Sequence, residues 1–281
     1  MPPTAAIILA GGRSTRMGSP KAALDWHGST LLRRVTGVAL RSVDGPVVVV
    51  RAPGQELPAL DAAVEVVADA REGRGPLEGL AAGMAAVGDR AAGVYVSSTD
   101  LPLLHPAFVH RVTAALDDGV DVVLPRINGF RQPLSAAYRV ALLPEVQALV
   151  AADRLKPAFL FERCEVLELD DRTMLRDPAL ARLDPQLASV SNLNEPGEYR
   201  RAHERPAPDI EVRRLGTPAV SDGHRSQTIA AWRLGELAGT IRVPLDHRVA
   251  VLLNDQETRR DPELPLVRGD SVTFIPAGAA D

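Results

Sequence analysis

Two textures alternate along the first 130 residues. Ala6-Ile7-Ile8-Leu9, Val47–Val50, Val64–Val67, Val94–Val96 and Val120–Leu124 are short, mostly apolar runs. They lack the in-out alternation of a half-solvated strand and read as strands buried on both faces. Between them lie stretches with helical spacing. Leu31, Leu32, Val35, Val38 and Ala39 share one side of a helix that Thr30 can cap. Gly75-Pro76 opens an Ala-rich helix over Leu77–Val87, and Pro106 opens another reaching about Leu116. Strands separated by helix-length crossovers predict an α/β fold, a mostly parallel sheet with helices on both faces.

After about Tyr199 the texture changes. Glu204-Arg205-Pro206-Ala207-Pro208-Asp209 is polar and proline-rich and reads as a linker. A helix is expected from Ser226 to Leu237, with Ile229, Trp232 and Leu237 on one side. Strands are expected at Val249–Leu253 and Val272–Ile275, the second entered through Arg268-Gly269-Asp270. The expected division is a first domain over 1–204, a linker region over 205–225 and a small α+β domain over 226–281.

Composition narrows the class. In 281 residues, 46% are hydrophobic and 24% charged, with a net charge of −4; this is a globular balance, not that of a disordered chain. No apolar run approaches the roughly 20 residues of a membrane helix. Met1–Ala10 has no basic residue ahead of its apolar stretch, so no secretory signal is expected. Cys164 is the only cysteine, which excludes an internal disulfide and fits a reducing, cytoplasmic setting. Neither a nucleophilic role for Cys164 nor a Cys/His metal spacing is indicated. The negative charge argues against a general nucleic-acid binder. Of the 32 lysines and arginines only Lys21 and Lys156 are lysines. A lysine kept in a Gly-rich turn therefore stands out, because its compact ammonium is not interchangeable with an arginine fork.

That turn is Leu9-Ala10-Gly11-Gly12-Arg13-Ser14-Thr15-Arg16-Met17-Gly18-Ser19-Pro20-Lys21. It leaves the end of the first strand, where open α/β sheets bind ligands. Glycines there let backbone N–H groups approach an anion, and Arg13, Arg16 and Lys21 add three positive charges. The plainer reading is a Gly-rich surface turn with solvated arginines. The run is neither a Walker A loop nor a dinucleotide fingerprint. Asp100 follows the Val94–Val96 strand, and Asp69 the Val64–Val67 strand. Each reads equally as a site carboxylate or a turn residue.

The run from Leu9 to Lys21 resembles the signature of nucleotidyltransferases similar to molybdenum cofactor guanylyltransferase. The resemblance covers about Ala6 to Ala202 and implies a three-layer, Rossmann-like nucleotidyltransferase fold. By that likeness Leu9, Ala10, Gly11, Gly12, Arg13, Arg16 and Lys21 would cradle a triphosphate. Gly11-Gly12 is similar to the guanylyl enzymes, whereas Pro20 before Lys21 is commoner among cytidylyl relatives. Ser98-Thr99-Asp100-Leu101-Pro102 is similar to the family's metal motif, implying Mg²⁺ and nucleotide at Asp100. Asp69, with the Gly75-Pro76-Leu77-Glu78-Gly79 helix start, would meet base or ribose, and Arg51 would lie beside the base. Arg131-Gln132-Pro133-Leu134 and Ser191-Asn192-Leu193-Asn194-Glu195-Pro196 resemble the second-substrate side, implicating Gln132, Pro133, Asn192 and Asn194. The implied reaction is transfer of GMP from GTP to the phosphate of molybdopterin, with Arg16, Lys21 and Asp100 as catalytic residues. Use of CTP, another phosphorylated acceptor, or nucleotide binding without turnover remain the alternatives. Other cofactor-assembly proteins or acceptor apoenzymes are possible partners. Residues 226–281 resemble the β-grasp sulfur carrier of molybdopterin synthesis without its terminal Gly-Gly, which implies a docking or regulatory module.

Overall fold

The computed structural model describes residues 3–11, 20–69, 73–117, 119–214 and 226–276. It forms two compact units, one of residues up to 26 with 30–199, the other of 27–29 with residues from 200 onward.

In the first unit the elements run β1 (Thr4–Leu9), α1 (Leu31–Leu40), β2 (Val47–Arg51), β3 (Val64–Ala68), α2 (Pro76–Val87), β4 (Gly93–Ser98), α3 (Pro106–Thr113), β5 (Val122–Ile127), β6 (Phe130–Arg131) and β7 (Ser135–Arg139). They continue as α4 (Leu143–Ala151), α5 (Pro157–Phe161), β8 (Val166–Asp170), α6 (Asp171–Met174) and α7 (Pro178–Leu183), followed by α8 (Pro196–His203), within which the division falls. The sheet has the order β3-β2-β1-β4-β7-β5-β6, with β8 also against β5. β3, β2, β1 and β4 are mutually parallel; β7 is antiparallel to both β4 and β5. β5 therefore points the same way as β4.

The apolar runs of β1, β2, β4 and β5 become strands covered on both faces, but β3, expected to be buried likewise, lies at the end of the sheet order and leaves Val66 45% exposed. Ile7, Val48, Val50, Val94 and Val96 pack with Leu77, Leu80 and Met84 of α2 and with Val146 and Leu149 of α4. α1 packs against β1 and β2, and α3 against β4, β5 and β7, completing three layers. Burying each Val, Ile or Leu side chain contributes about 1.5–3 kcal/mol, so the runs specify the layered arrangement more strongly than local propensity does. Thr30 caps α1 as expected, its Oγ1 accepting from Arg33 N at 3.2 Å. Two boundaries differ from expectation. α3 stops at Thr113, and β5 starts at Val122 because Val120 N closes a turn onto Asp117 O. A hairpin not foreseen joins β5 to β6 through Asn128-Gly129, with φ of 51° and 81°; two consecutive left-handed residues match the twist of a tight hairpin.

The second unit holds β9 (Asp209–Arg214), β10 (Gln227–Ala230), α9 (Leu234–Thr240), β11 (Val249–Leu253), β12 (Gln256–Thr258) and β13 (Ser271–Pro276). The sheet order is β10-β9-β13-β11-β12, with β9 and β13 parallel and the other pairs antiparallel. Ile210, Val212, Leu234, Leu237, Val251, Val272 and Phe274 form its core. His27 stacks between His203 and Trp232, with centroid separations of 4.1 and 4.6 Å. The helix expected over Ser226–Leu237 is corrected. Its first part is β10, where Ile229 pairs with Ile210, and the helix begins only at Leu234. Pairing with β9 overrides the apparent helical spacing, and Glu236 accepts the Trp232 N–H at 2.8 Å at the helix entrance. β9 itself falls in the stretch expected as linker; the alternation of Ile210 and Val212 is short and set among charged residues.

Candidate active site

Strand register assembles the site. Leu9 is opposite both Val50 and Ser98, and Arg51 is opposite Ala68. Continued past the strand ends, this register lines up Asp69, Ala52, Gly11 and Asp100 across four adjacent parallel strands. At ~4.8 Å per strand the row spans on the order of 14 Å, the scale of an extended nucleotide. Leu9, Ala10, Gly11, Lys21, Asp69, Gly75 and Asp100 all line one cavity of about 620 Å³ above this row. Gly12, Arg13 and Arg16 lie outside the described residues.

Lys21 Nζ sits 2.7 Å from Asp100 Oδ2 and donates to Asn194 Oδ1 at 3.0 Å. Three residues, separated by 79 and 173 positions from Lys21, thus meet at the cavity rim. Lys21 and Asp100 are largely but not wholly shielded from solvent, which strengthens their attraction relative to an exposed pair. Asp100 is fixed from several sides. Ser98 Oγ donates to its Oδ1, and Leu193 N donates to its carbonyl at 3.0 Å. Thr99 Oγ1 donates to Leu9 O at 3.2 Å, tying the exits of β1 and β4 together. Buried Arg34 donates from Nε to Pro102 O at 2.6 Å, bracing the following turn. Asn194 is held by the start of α8: Glu198 Oε2 accepts from Asn194 N at 2.7 Å and Glu195 N at 3.0 Å, a carboxylate used at a helix N-terminus. Asn192 is exposed on the same loop.

Asp69 closes the other end of the row. Its backbone N donates to Arg51 O at 2.8 Å. Its Oδ1 is buried without a hydrogen-bond partner among the described residues. A Cβ on Gly79 would meet Leu9 Cδ2 at 3.0 Å and Asp69 Oδ1 at 3.4 Å, so the absent side chain lets α2 close over the carboxylate. Burial first, and the nearby Glu78 charge second, push the Asp69 carboxyl from 3.8 up to about 6. Glu78 in turn has Arg74 Nε 3.4 Å from its Oε2, and Arg74 also pairs with Asp153.

Gln132 and Pro133 lie in the β6–β7 connection, next to the cavity-lining Leu134. The Gln132 amide donates to Phe130 O at 3.2 Å, and Pro133 O accepts from Tyr138 Oη at 2.8 Å. They adjoin the cavity without lining it. Arg51 donates to Gln55 O at 2.7 Å. Gln55 carries no motif signal, yet its Nε2 donates to Ala10 O and its Oε1 accepts from Ala52 N, both at 3.0 Å. It locks two cavity-lining strand exits together; only the register of β1 against β2 reveals this.

A mostly parallel three-layer sheet carrying a Gly-rich cradle, a lysine and strand-end carboxylates around one cavity defines a nucleotidyltransferase-type α/β protein. Residues 6–166 match the MobA-like NTP transferase domain, and the chain belongs to that family. It is 32% identical over 202 residues to a probable molybdenum cofactor guanylyltransferase of Methanosarcina acetivorans, covering 67% of this chain and 85% of the relative. It is 38% identical over 151 residues to one from Mycolicibacterium paratuberculosis, covering 52% and 75%. Among solved structures it resembles molybdopterin-guanine dinucleotide biosynthesis protein A of Archaeoglobus fulgidus, with TM-score 0.57, 21% identity and coverage of 71% and 97%. No helix among the described residues is long and apolar enough to cross a membrane.

Proposed function

We propose that this nucleotidyltransferase acts in molybdenum cofactor biosynthesis, transferring GMP from GTP to the terminal phosphate of molybdopterin. The observation that carries the reading is the meeting of Lys21, Asp100 and Asn194 at one end of a cavity whose other end is Asp69. The names of the relatives supply the substrates. A phosphate oxygen of the acceptor forms a bond to the α-phosphorus, the bond from that phosphorus to the β-phosphate oxygen breaks, and pyrophosphate leaves. No side-chain base is needed, because the attacking phosphate is already ionised. The chain's work is positioning and charge stabilisation. Gly11 N–H and the Lys21 ammonium face phosphate oxygens; Asp69 accepts from nucleoside N–H or O–H donors; Asn194 orients Lys21.

The donor set suits a hard divalent ion. Asp100 offers carboxylate oxygens at a strand end opening onto the cavity, and no group of three metal-binding side chains occurs among the described residues. Mg²⁺ takes one or two carboxylates and otherwise prefers water and phosphate oxygens. Held by Asp100, it would neutralise charge on the reacting phosphates. The order of strands in the second unit, with first and last adjacent and parallel and α9 between the second and third, supports a β-grasp docking module over the C-terminal region.

Pyrophosphate release measured with GTP or CTP, with and without molybdopterin, tests the reading. Turnover is expected with GTP and molybdopterin together, and Asp100→Asn should lower kcat at least a hundredfold. Turnover with CTP alone would reassign the base, an outcome that Pro20 before Lys21 favours. Nucleotide binding without turnover would make the chain a scaffold.

A further inference from the structure

Among the described residues three large hydrophobics are notably exposed: Val66 at 45%, Leu167 at 37% and Phe130 at 73%. Phe130 is the sole aromatic of the three and much the most exposed. A lone exposed aliphatic side chain is unremarkable on a protein surface. Phe130 differs because of how firmly its hairpin is held and where it lies.

The hairpin is braced on every side. Asn128 N donates to both carboxylate oxygens of Asp171, at 3.2 and 3.1 Å. Arg126 Nε donates to Gly129 O at 3.3 Å, and Arg131 Nε to Glu168 Oε1 at 2.7 Å. The Gln132 amide takes the Phe130 carbonyl itself. The aromatic residue is therefore presented on a rigid tip rather than a loose loop. Preorganisation of this kind lowers the ordering entropy that a ligand contact must overcome.

Register places the tip. Ser97 is opposite Ser135 in the antiparallel β4–β7 pair. β5 pairs first with Tyr138 and Ala137 of β7 and then with Arg131 and Phe130 of β6, so residues 132–134 bow out between them on the side of β4 away from Gly11, and Leu134 among them lines the cavity. The sheet edge thus reads Asp69, Ala52, Gly11, Asp100, then the Gln132–Phe130 hairpin. The first four serve the nucleotide, so the hairpin flanks the place from which an acceptor phosphate must approach.

We infer that Phe130 is a stacking platform for the flat heterocycle of the acceptor, a pterin, whose phosphate reaches in toward Asp100. The inference rests on the acceptor class proposed above. A phenyl face binds such a ring without needing a hydrogen-bond code. Exposed Arg126 lies on the same hairpin, while Arg131 is held by Glu168 and steadies the tip.

The test uses the full chain with 6-hydroxymethylpterin phosphate as the probe, followed by pterin fluorescence, and GTP affinity measured in parallel. Wild type should bind the probe with quenched fluorescence. Phe130→Ala should weaken probe binding about tenfold and abolish the quenching, with GTP affinity changed less than twofold. Phe130→Trp should restore both signals. Because the side chain is exposed, Phe130→Ala should fold normally, and an unchanged melting temperature checks this. Equal binding and quenching by wild type and Phe130→Ala overturns the platform alone. Wild type that binds GTP but not the probe overturns the pterin acceptor, and the platform with it.

Discussion

Asp69→Asn isolates a carboxylate that the fold holds at a disadvantage. Burial and Glu78 raise its pKa from 3.8 to about 6. The native state therefore binds this proton more tightly than the unfolded chain does. Stability from Asp69 is fully present below pH 4 and is lost as pH rises through 6. A shift of about two units corresponds to ~3 kcal/mol at full strength. The group is only partly buried and faces an open cavity, so solvent screening reduces the effect to about 1 kcal/mol. Asparagine resembles the protonated acid and escapes this penalty. The variant should lie nearest to wild type at pH 4.5 and exceed it by about 1 kcal/mol at pH 8, or roughly 2–4 °C in the melting of the first unit. Calorimetric scans of both proteins from pH 4.5 to 8 measure the difference directly. An offset that is constant with pH, or an asparagine variant less stable at pH 8, would refute the assignment of a raised pKa to burial. In the same window wild-type nucleotide affinity should fall as pH drops below 6, since a protonated carboxyl loses acceptor capacity. The asparagine variant should show weaker binding without that inflection.

Further predictions follow from geometry alone. Gln55→Ala strands the Ala10 carbonyl and Ala52 N–H, each worth about 1 kcal/mol; KM for nucleotide should rise five- to tenfold with kcat within twofold, read from steady-state kinetics. Gly83→Val places a Cβ 2.6 Å from Ile7 Cγ2 and 2.9 Å from its Cδ1. With α2 unable to approach β1, thermal denaturation should show a loss of about 2 kcal/mol or more.

The Gly-rich turn after β1 and the carboxylates after β3 and β4 are legible in the sequence because each sits where an apolar strand run ends, whereas the Asn-rich loop, lying between Val190 and α8, follows no strand and is legible only by resemblance. Such a break marks a strand exit, and exits of parallel strands share one edge. The β10 segment imitates a helix because Ile229, Trp232 and Leu237 satisfy a helical spacing by chance, while Thr228 and Ile229 accept the extended conformation that pairing with β9 supplies. β9 was hidden because only Ile210 and Val212 alternate in a charged stretch. The Asn128-Gly129 hairpin did carry a local turn signature, but the strand it returns, β6, is only Phe130–Arg131.

Taken by itself, the chain determined the layered fold and the chemistry available at its Gly-rich turn, because unbroken apolar runs admit few packings and because lysine, glycine and aspartate have narrow chemical roles. Only the tertiary structure decided that Lys21 meets both Asp100 and Asn194, that one carboxylate oxygen of Asp69 is buried without a partner among the described residues, and that Gln55 joins two strand exits. These depend on strand order and register, which bring together residues too far apart in sequence for local spacing to relate.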